Sequence, residues 1–512
     1  MLLKNKKILK SHKILVTVLI VLLLLTFLIR LSSFFITTNK LPDLSTEIEN
    51  VKIKGMEIEN LYTEAKVSTL TTTGGLFRID LEKGTIEIEQ RIGEKRLLAK
   101  VILVDNQFKE LSTPTCMGFD CILEGNFPES PKIIISGDSV IRFYNIKNLR
   151  VVLYFTPVHQ KFNVSITQYN NGGLLALDEN GGLAIAPPSY ASNENWPKSF
   201  ENNVWNLTAE KPLPLLFIGV LPPRPFDWER SFWPVIHYSS HIQRYSTNEQ
   251  IIAYSKYAKV LEMHSWVWQN RYNENERDEK GNKFPLWADY SYLPQDGKWI
   301  PGNEAEFRRV CKTAHAYGMK VLPYVSSEYE KDVDPKTFIA EIKRLKDTYD
   351  IDGVYLDGLF YQRPELGYMA IRTLRELFGE DGWITLHDTH GSGYWTPFIN
   401  TYVDLIITSE HASFERWTST SYKISNAIAS VWPEISLNVK DGREFLKKLV
   451  NDSLLYNNRV LMMTGDQGQW RDWRLEFTLD EMKFMQEYYL GALEKMRNIG
   501  FEKFILELKS NL

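Results

Sequence analysis

The chain has 512 residues, 44% of them hydrophobic and 13% aromatic, with a formal net charge of −4. That composition excludes a disordered, collagenous or coiled-coil architecture, and three cysteines exclude a disulfide scaffold. Nucleic acid is excluded as the main partner, because phosphate binding needs a basic face and this chain is mildly acidic.

The first thirteen residues carry Lys4, Lys6, Lys7, Lys10 and Lys13 and no acid. Ile14–Ile36 follows as 23 residues with one charge, Arg30. A bilayer core takes about 20 apolar residues in a helix, so this stretch is expected to span. The lysines place the short tail 1–13 in the cytoplasm and the rest outside. A cleaved signal peptide is the competing reading, but the apolar run is long and no A-x-A site precedes Leu41. The expectation is a single-pass cell-membrane protein with the lipid bilayer as partner through residues 14–36, and a polar stalk over 37–60.

From 61 to 240 the apolar residues alternate with period two. FRIDL and TIEIEQRI flank Lys83-Gly84 and predict a β-hairpin. PKIIISG, SVIRFYNI, LRVVLYFTP and FNVSITQY follow as short strands divided by turn residues, so this region is expected to be a β-sandwich. Cys116 and Cys121 are close enough to pair outside the cell. NVS at Asn163, NLT at Asn206 and NDS at Asn451 fit the glycosylation pattern, a common chance triplet. The proline density of 211–234 marks a boundary.

From 241 to 512 the rhythm changes to strands alternating with helices. Eight strands are expected at 259–268, 284–290, 320–325, 352–357, 383–388, 403–410, 433–439 and 459–465. Asn303 caps a helix with Phe307, Val310, Cys311 and Ala314 on one stripe, ending at Gly318. Asp334-Pro335 opens another with Phe338, Ile342 and Leu345 on one face. Eight such units predict a (β/α)8 barrel. Charged residues 269–283 supply no helix between the first two strands, which leaves a doubly wound sheet as the alternative.

A barrel of this kind carries its chemistry at the C-terminal strand ends. Those ends offer His264, Trp266 and Trp268; Asp289; Tyr324 and Glu328; Asp357; His387, Asp388 and His390; Glu410 and His411; and Asp466 and Trp470. Aromatic faces stack on sugar C–H faces and carboxylates bind hydroxyls, so the set suits an oligosaccharide or polysaccharide. Tyr355 is expected to point into the barrel beneath Asp357. Trp417 and Trp432 fit the cleft or the core equally.

Asp357, in YDIDGVYLDG, is the sharpest signal. An apolar strand delivers one carboxylate to the rim and Gly358 turns the backbone away. A carboxylate nucleophile needs that rigid placement beneath an anomeric carbon. A second carboxyl about 5–5.5 Å away gives retention of configuration. Glu410 is the candidate acid/base, with Asp388 as its rival. The structural alternative for Asp357 is a helix cap or a partner for an arginine.

DYSYLPQDGKWIPGNEAEFRRVCKTAHAYGMKVLPYVS followed by DGVYLDG resembles the barrel of retaining α-glycosidases, the clan of α-galactosidases and α-glucosidases in glycoside hydrolase families 27, 31 and 36. The endo-α-N-acetylgalactosaminidases of family 101 are similar in outline. The resemblance spans roughly residues 280–415 and implies a nucleophilic role for Asp357 and no cofactor. The clan's acid/base is usually Asp, where this chain has Glu410. Two other classes stay open: a non-catalytic cell-surface carbohydrate-binding or envelope protein, and a metal-dependent polysaccharide hydrolase or deacetylase using His387, Asp388 and His390.

Overall fold

The computed structural model describes residues 56–510, apart from 188–197, 240–243, 278–282, 286–297, 328–332, 388–394, 410–427, 432–441, 466–476 and interruptions of a few residues elsewhere. Ile14–Ile36 therefore lies outside the described residues. Among those described, no helix is long and apolar enough to cross a membrane.

The first half is built from two eight-stranded sheets. The expected hairpin is present: Gly75–Asp80 pairs antiparallel with Thr85–Gln90, and Gly84 takes the positive φ of 64° that its turn requires. Strands Lys132–Ser136, Val140–Tyr144 and Ile146–Leu153 follow as the alternation predicts. One core lies between the sheets, with Phe77, Ile88, Phe143 and Trp205 fully buried in it. Each such side chain contributes about 1.5–3 kcal/mol by leaving water. Cys116 and Cys121 face each other across a hairpin and form a disulfide. The first strand, Ile58–Glu64, already pairs with Val67–Thr72, so the stalk expected to run to 60 ends earlier.

The second half is a parallel sheet. Its strands are β1 (Val235–Ser239), β2 (Val260–Met263), β3 (Lys320–Val325), β4 (Gly353–Asp357), β5 (Trp383–His387), β6 (Leu405–Ser409), β7 (Ile428–Val431) and β8, in two segments, Asn458–Val460 and Met462–Gly465. Neighbours pair in that order, β7 pairs with the first segment of β8, and the second segment pairs with β1. The hydrogen-bonded series thus returns to its start.

The parallel sheet includes two strands not expected from the sequence, Val235–Ser239 and Ile428–Val431. Of the expected strand 284–290, residues 286–290 lie outside the described residues; Lys283–Pro285 pairs antiparallel with Tyr272–Arg277 in a separate ribbon. Val260–Met263 pairs directly with Lys320–Val325, and the unexpected strand β1 lies on the other side of β2, which moves the start of the parallel region to the N-terminal side of 241. The seventh strand is Ile428–Val431, and the expected 433–439 lies outside the described residues. The proline-rich run before Val235 obscures the short, wholly buried VIHYS pattern of β1.

The helices follow from their caps. In α1 (Glu304–Ala316) the Asn303 side chain accepts from the Glu306 N–H, and Phe307, Val310, Cys311 and Ala314 form the buried stripe. In α2 (Pro335–Tyr349) Asp334 caps the Thr337 N–H, and Asp350 closes the helix in the left-handed region. Helix α3 (Pro364–Phe378) follows β4 and packs against the sandwich. There Phe217 meets Tyr368, Trp395 and Phe398 edge-on, at centroid distances of 5.0, 4.7 and 5.8 Å. Gly219 allows the approach, since a Cβ would lie 2.6 Å from the Phe398 ring.

Candidate active site

Side chains alternate across the parallel strands, so one residue in two faces inward. Val235, Val260, Leu322, Tyr324, Tyr355, Trp383, Leu405, Ile407, Leu461 and Met463 form that inner cluster. Asp357 shares the parity of Tyr355, and His387 that of Trp383. Both therefore face inward at the last positions of β4 and β5, where they are register partners. Gly353 permits the close approach of these two strands, because a Cβ there would lie 1.6 Å from the Trp383 carbonyl oxygen.

Asp357 is held from three sides. His387 Nδ1 lies 3.0 Å from Oδ1. The Tyr324 hydroxyl donates to Oδ2. Ser326 Oγ donates to the Asp357 backbone carbonyl at 2.5 Å, which fixes the strand end. The carboxylate side chain stays 14% exposed, while His387 is 7% exposed. Asp357 thus keeps access to solvent with a tyrosine and a histidine beside it. Gly358, at φ 83°, turns the chain away immediately afterwards.

The expected aromatic wall divides. His264 packs on the Tyr324 ring at 4.6 Å, and Tyr324 stacks on Tyr355 at 4.9 Å. Tyr355 is 1% exposed and so lies beneath the site, pointing inward as expected. Trp268 does not line the site. It is 2% exposed, stacked between Trp299 at 6.1 Å and Phe307 at 5.7 Å, and its Nε1 donates to the Tyr324 carbonyl. Its large apolar face is satisfied by the layer around α1, which makes it a core residue. Trp266, Asp289, Glu328, Asp388, His390, Glu410, His411, Trp417, Trp432, Asp466 and Trp470 lie outside the described residues.

The inner face also holds polar residues that strand-end reasoning passes over. His237 on β1 and Glu262 on β2 are register partners, with Nδ1 and Oε2 3.0 Å apart. Thr385 on β5 donates to Glu262 Oε1 at 2.5 Å. Burial pushes the Glu262 carboxyl up to about 8, against the lowering influence of Thr385 and His387. One signal for Glu262 is visible in the sequence: a single acid inside the apolar run of KVLEMH. His237 has no comparable signal. Among the described residues, no group of three His, Cys, Asp or Glu side chains is placed to hold a metal ion.

No family model matches the chain, and no curated protein matches it. Among solved structures it is similar to a noncanonic maltogenic alpha-amylase from Thermotoga neapolitana, at 9% identity and a TM-score of 0.34, over 51% of this chain and 77% of that one. A GH18 chitinase from Pseudoalteromonas aurantia aligns at 13% identity and a TM-score of 0.31, over 50% of this chain and 99% of that one. A cycloalternan-degrading enzyme from Trueperella pyogenes, solved with cycloalternan, aligns at 10% identity and a TM-score of 0.35, over 88% and 75%. The named neighbours are glycoside-active enzymes, but the scores are too low to carry an assignment to this chain.

Proposed function

We propose that the protein is a glycoside hydrolase acting on an oligosaccharide or polysaccharide by a retaining, two-carboxylate mechanism. The observation that carries this reading is the setting of Asp357. It is a part-exposed carboxylate at the C-terminal end of a parallel strand, braced by the Tyr324 hydroxyl and His387 Nδ1. The parallel sheet is read as a (β/α)8 barrel, in which strand ends on one rim share a cleft.

In the mechanism Asp357 attacks the anomeric carbon and forms a glycosyl-enzyme bond as the leaving oxygen departs. Tyr324 and His387 orient the carboxylate so that one oxygen faces the sugar. Glu410, beyond the end of β6, is assigned as the acid that protonates the leaving oxygen and then as the base that activates water. Asp388, directly after β5, is the alternative for that role. His264 and Tyr324 supply the wall of the first sugar subsite. The α-linkage expected from the clan resemblance belongs to this proposal, as does anchoring through Ile14–Ile36 with the catalytic region outside the cell.

The experiment is hydrolysis of a panel of α- and β-linked aryl glycosides by the detergent-solubilised full-length chain and its Asp357→Asn variant. The expected result is aryl release by the wild type alone, with the first-formed sugar in the configuration of the substrate. Inversion, or turnover by Asp357→Asn within about tenfold of wild type, refutes the nucleophile. Partitioning of the chain into alkali-washed membranes tests the anchor.

A further inference from the structure

Beneath the candidate site, Glu262 connects three strands. Its Oε2 meets His237 Nδ1 on β1 at 3.0 Å, and its Oε1 accepts from Thr385 Oγ1 on β5 at 2.5 Å. Strands β2 and β5 are three places apart in the pairing order, so the Thr385 contact crosses the interior rather than following the sheet. Trp383 Nε1 in turn donates to Thr385 Oγ1 at 3.1 Å. Glu262 and His237 are fully buried, as is Thr385. Two residues beyond Thr385, on the same face of β5, stands His387 against Asp357.

We propose that Glu262 is a positioning residue. Through Thr385 it braces β5 across the interior and sets the height of His387, and with it the orientation of Asp357. The inference rests on the reading of Asp357 as the reacting carboxylate.

The direction of the hydrogen bonds supports it. Trp383 donates to Thr385, so the Thr385 hydroxyl proton is directed to Glu262 Oε1. With burial holding a proton on Glu262, that proton lies on Oε2 and is donated to His237 Nδ1. The donors then run in one direction, from Trp383 through Thr385 and Glu262 to His237, with the Glu262 carboxyl neutral. A neutral brace spares Asp357 a second buried anion beneath it. Among the described residues, the groups facing this brace are His237, Thr385, Trp383 and His387, with the His264 and Tyr355 rings packed on His237 at 5.3 and 5.0 Å.

The test uses Thr385→Val, which keeps the shape and removes the hydroxyl, Thr385→Ser, which restores it, and Glu262→Gln. Rates are measured on the aryl glycoside cleaved by the full-length wild type, and histidine side chains are followed by isotope-labelled imidazole NMR. Loss of one buried hydrogen bond in the brace is expected to lower kcat about tenfold in Thr385→Val, with KM within about twofold of wild type. The His387 imidazole signals shift in the same variant, and Thr385→Ser recovers both. A Thr385→Val enzyme with wild-type kcat and unshifted His387 signals overturns the proposal.

If Thr385→Val does not fold, Glu262→Gln decides. Its amide accepts from Thr385 and donates to His237 at every pH, so the step that the Glu262 carboxyl imposes on the His237 and His387 imidazole signals at about pH 8 in the wild type is lost; a wild type without that step at His387, or its persistence in the variant, overturns the proposal. If the wild type cleaves no glycoside, the NMR shifts still decide the brace on their own, while the reading of Asp357 as a nucleophile falls separately.

Discussion

The seam between the two halves and the mouth of the parallel sheet each hold carboxylates, but they surround them differently. In the seam Asp120 lies 2.8 Å from Arg142 and 3.1 Å from Arg372, and it accepts from Ser136 at 2.6 Å. Burial raises its pKa, yet the two guanidinium groups outweigh burial and hold the carboxyl well below the usual range. Arg372 also lies over the Phe119 ring at 4.2 Å. Nearby, Asp138 accepts from the Tyr368 and Tyr402 hydroxyls at 2.6 and 2.5 Å, and burial raises it. The seam therefore joins the sandwich hairpins to α3 through neutralised charge. At the mouth, Asp357 has a phenol and an imidazole instead. A carboxylate clamped by arginines is a structural tie; Asp357, oriented by Tyr324 and His387, stays part-exposed at its strand end.

Exchanging each acid for its amide separates the two roles. Asp357→Asn is expected to lower kcat by at least about 10³-fold, a barrier increase of roughly 4 kcal/mol, with little change in the denaturant midpoint. Asp120→Asn is expected to do the reverse. Removing one partner of a fully buried ion pair costs about 3–5 kcal/mol; Asp120 is part-exposed, so a smaller cost is expected, but it leaves two buried arginines underpaired and the denaturant midpoint falls while kcat of the folded fraction is retained. A stable Asp120→Asn protein would mean that the seam is held by its apolar contacts around Phe217.

Tyr324→Phe sharpens the description of the mouth. It removes the hydroxyl that orients Asp357 but keeps the ring between His264 and Tyr355. The expected cost is about 1.5–3 kcal/mol in the barrier, or roughly tenfold to a hundredfold in kcat, with stability near wild type. A variant that loses stability and not rate would make Tyr324 a packing residue.

The two regions also differ in the pH dependence of stability, where they have opposite signs. Asp120 is lowered on folding, so its contribution is present at neutral pH and is lost as pH falls below the ordinary carboxylate range. Glu262 is raised from 4.5 to about 8. Between those values the folded chain holds a proton that the unfolded chain has released, so stability falls as pH rises through that interval. The slope is about 1.4 kcal/mol per pH unit for one proton. Glu262→Gln is expected to flatten it. Chemical denaturation at several pH values measures this, and an unchanged slope would show that Glu262 is not the group responsible.

Much of this arrangement was legible in the residues. The hairpin about Gly84, the caps at Asn303 and Asp334, and the strand carrying Asp357 all rest on local rules of turn chemistry, capping and periodicity. So did the pairing of Cys116 with Cys121, five positions apart. The failures share one cause. Strand β1 was hidden behind prolines, Lys283–Pro285 went to a ribbon of its own, and Trp268 was enclosed by Trp299 and Phe307 instead of facing the site. In each case the outcome depends on partners distant in sequence.

By itself the sequence determined which segments become strands and helices over most of the chain, and it placed Asp357 at a strand end, because those outcomes depend on neighbours a few positions away. Only the tertiary structure decided that Tyr324 and His387 hold Asp357, that Glu262 reaches Thr385 across the interior, and that α3 ties to the sandwich through Asp120 and Asp138. The physical reason is register. In the parallel sheet, strand pairing joins residues as near in sequence as Thr385 and Leu405 and as far apart as Ile236 and Met462, and no local pattern encodes which inward positions will share a layer.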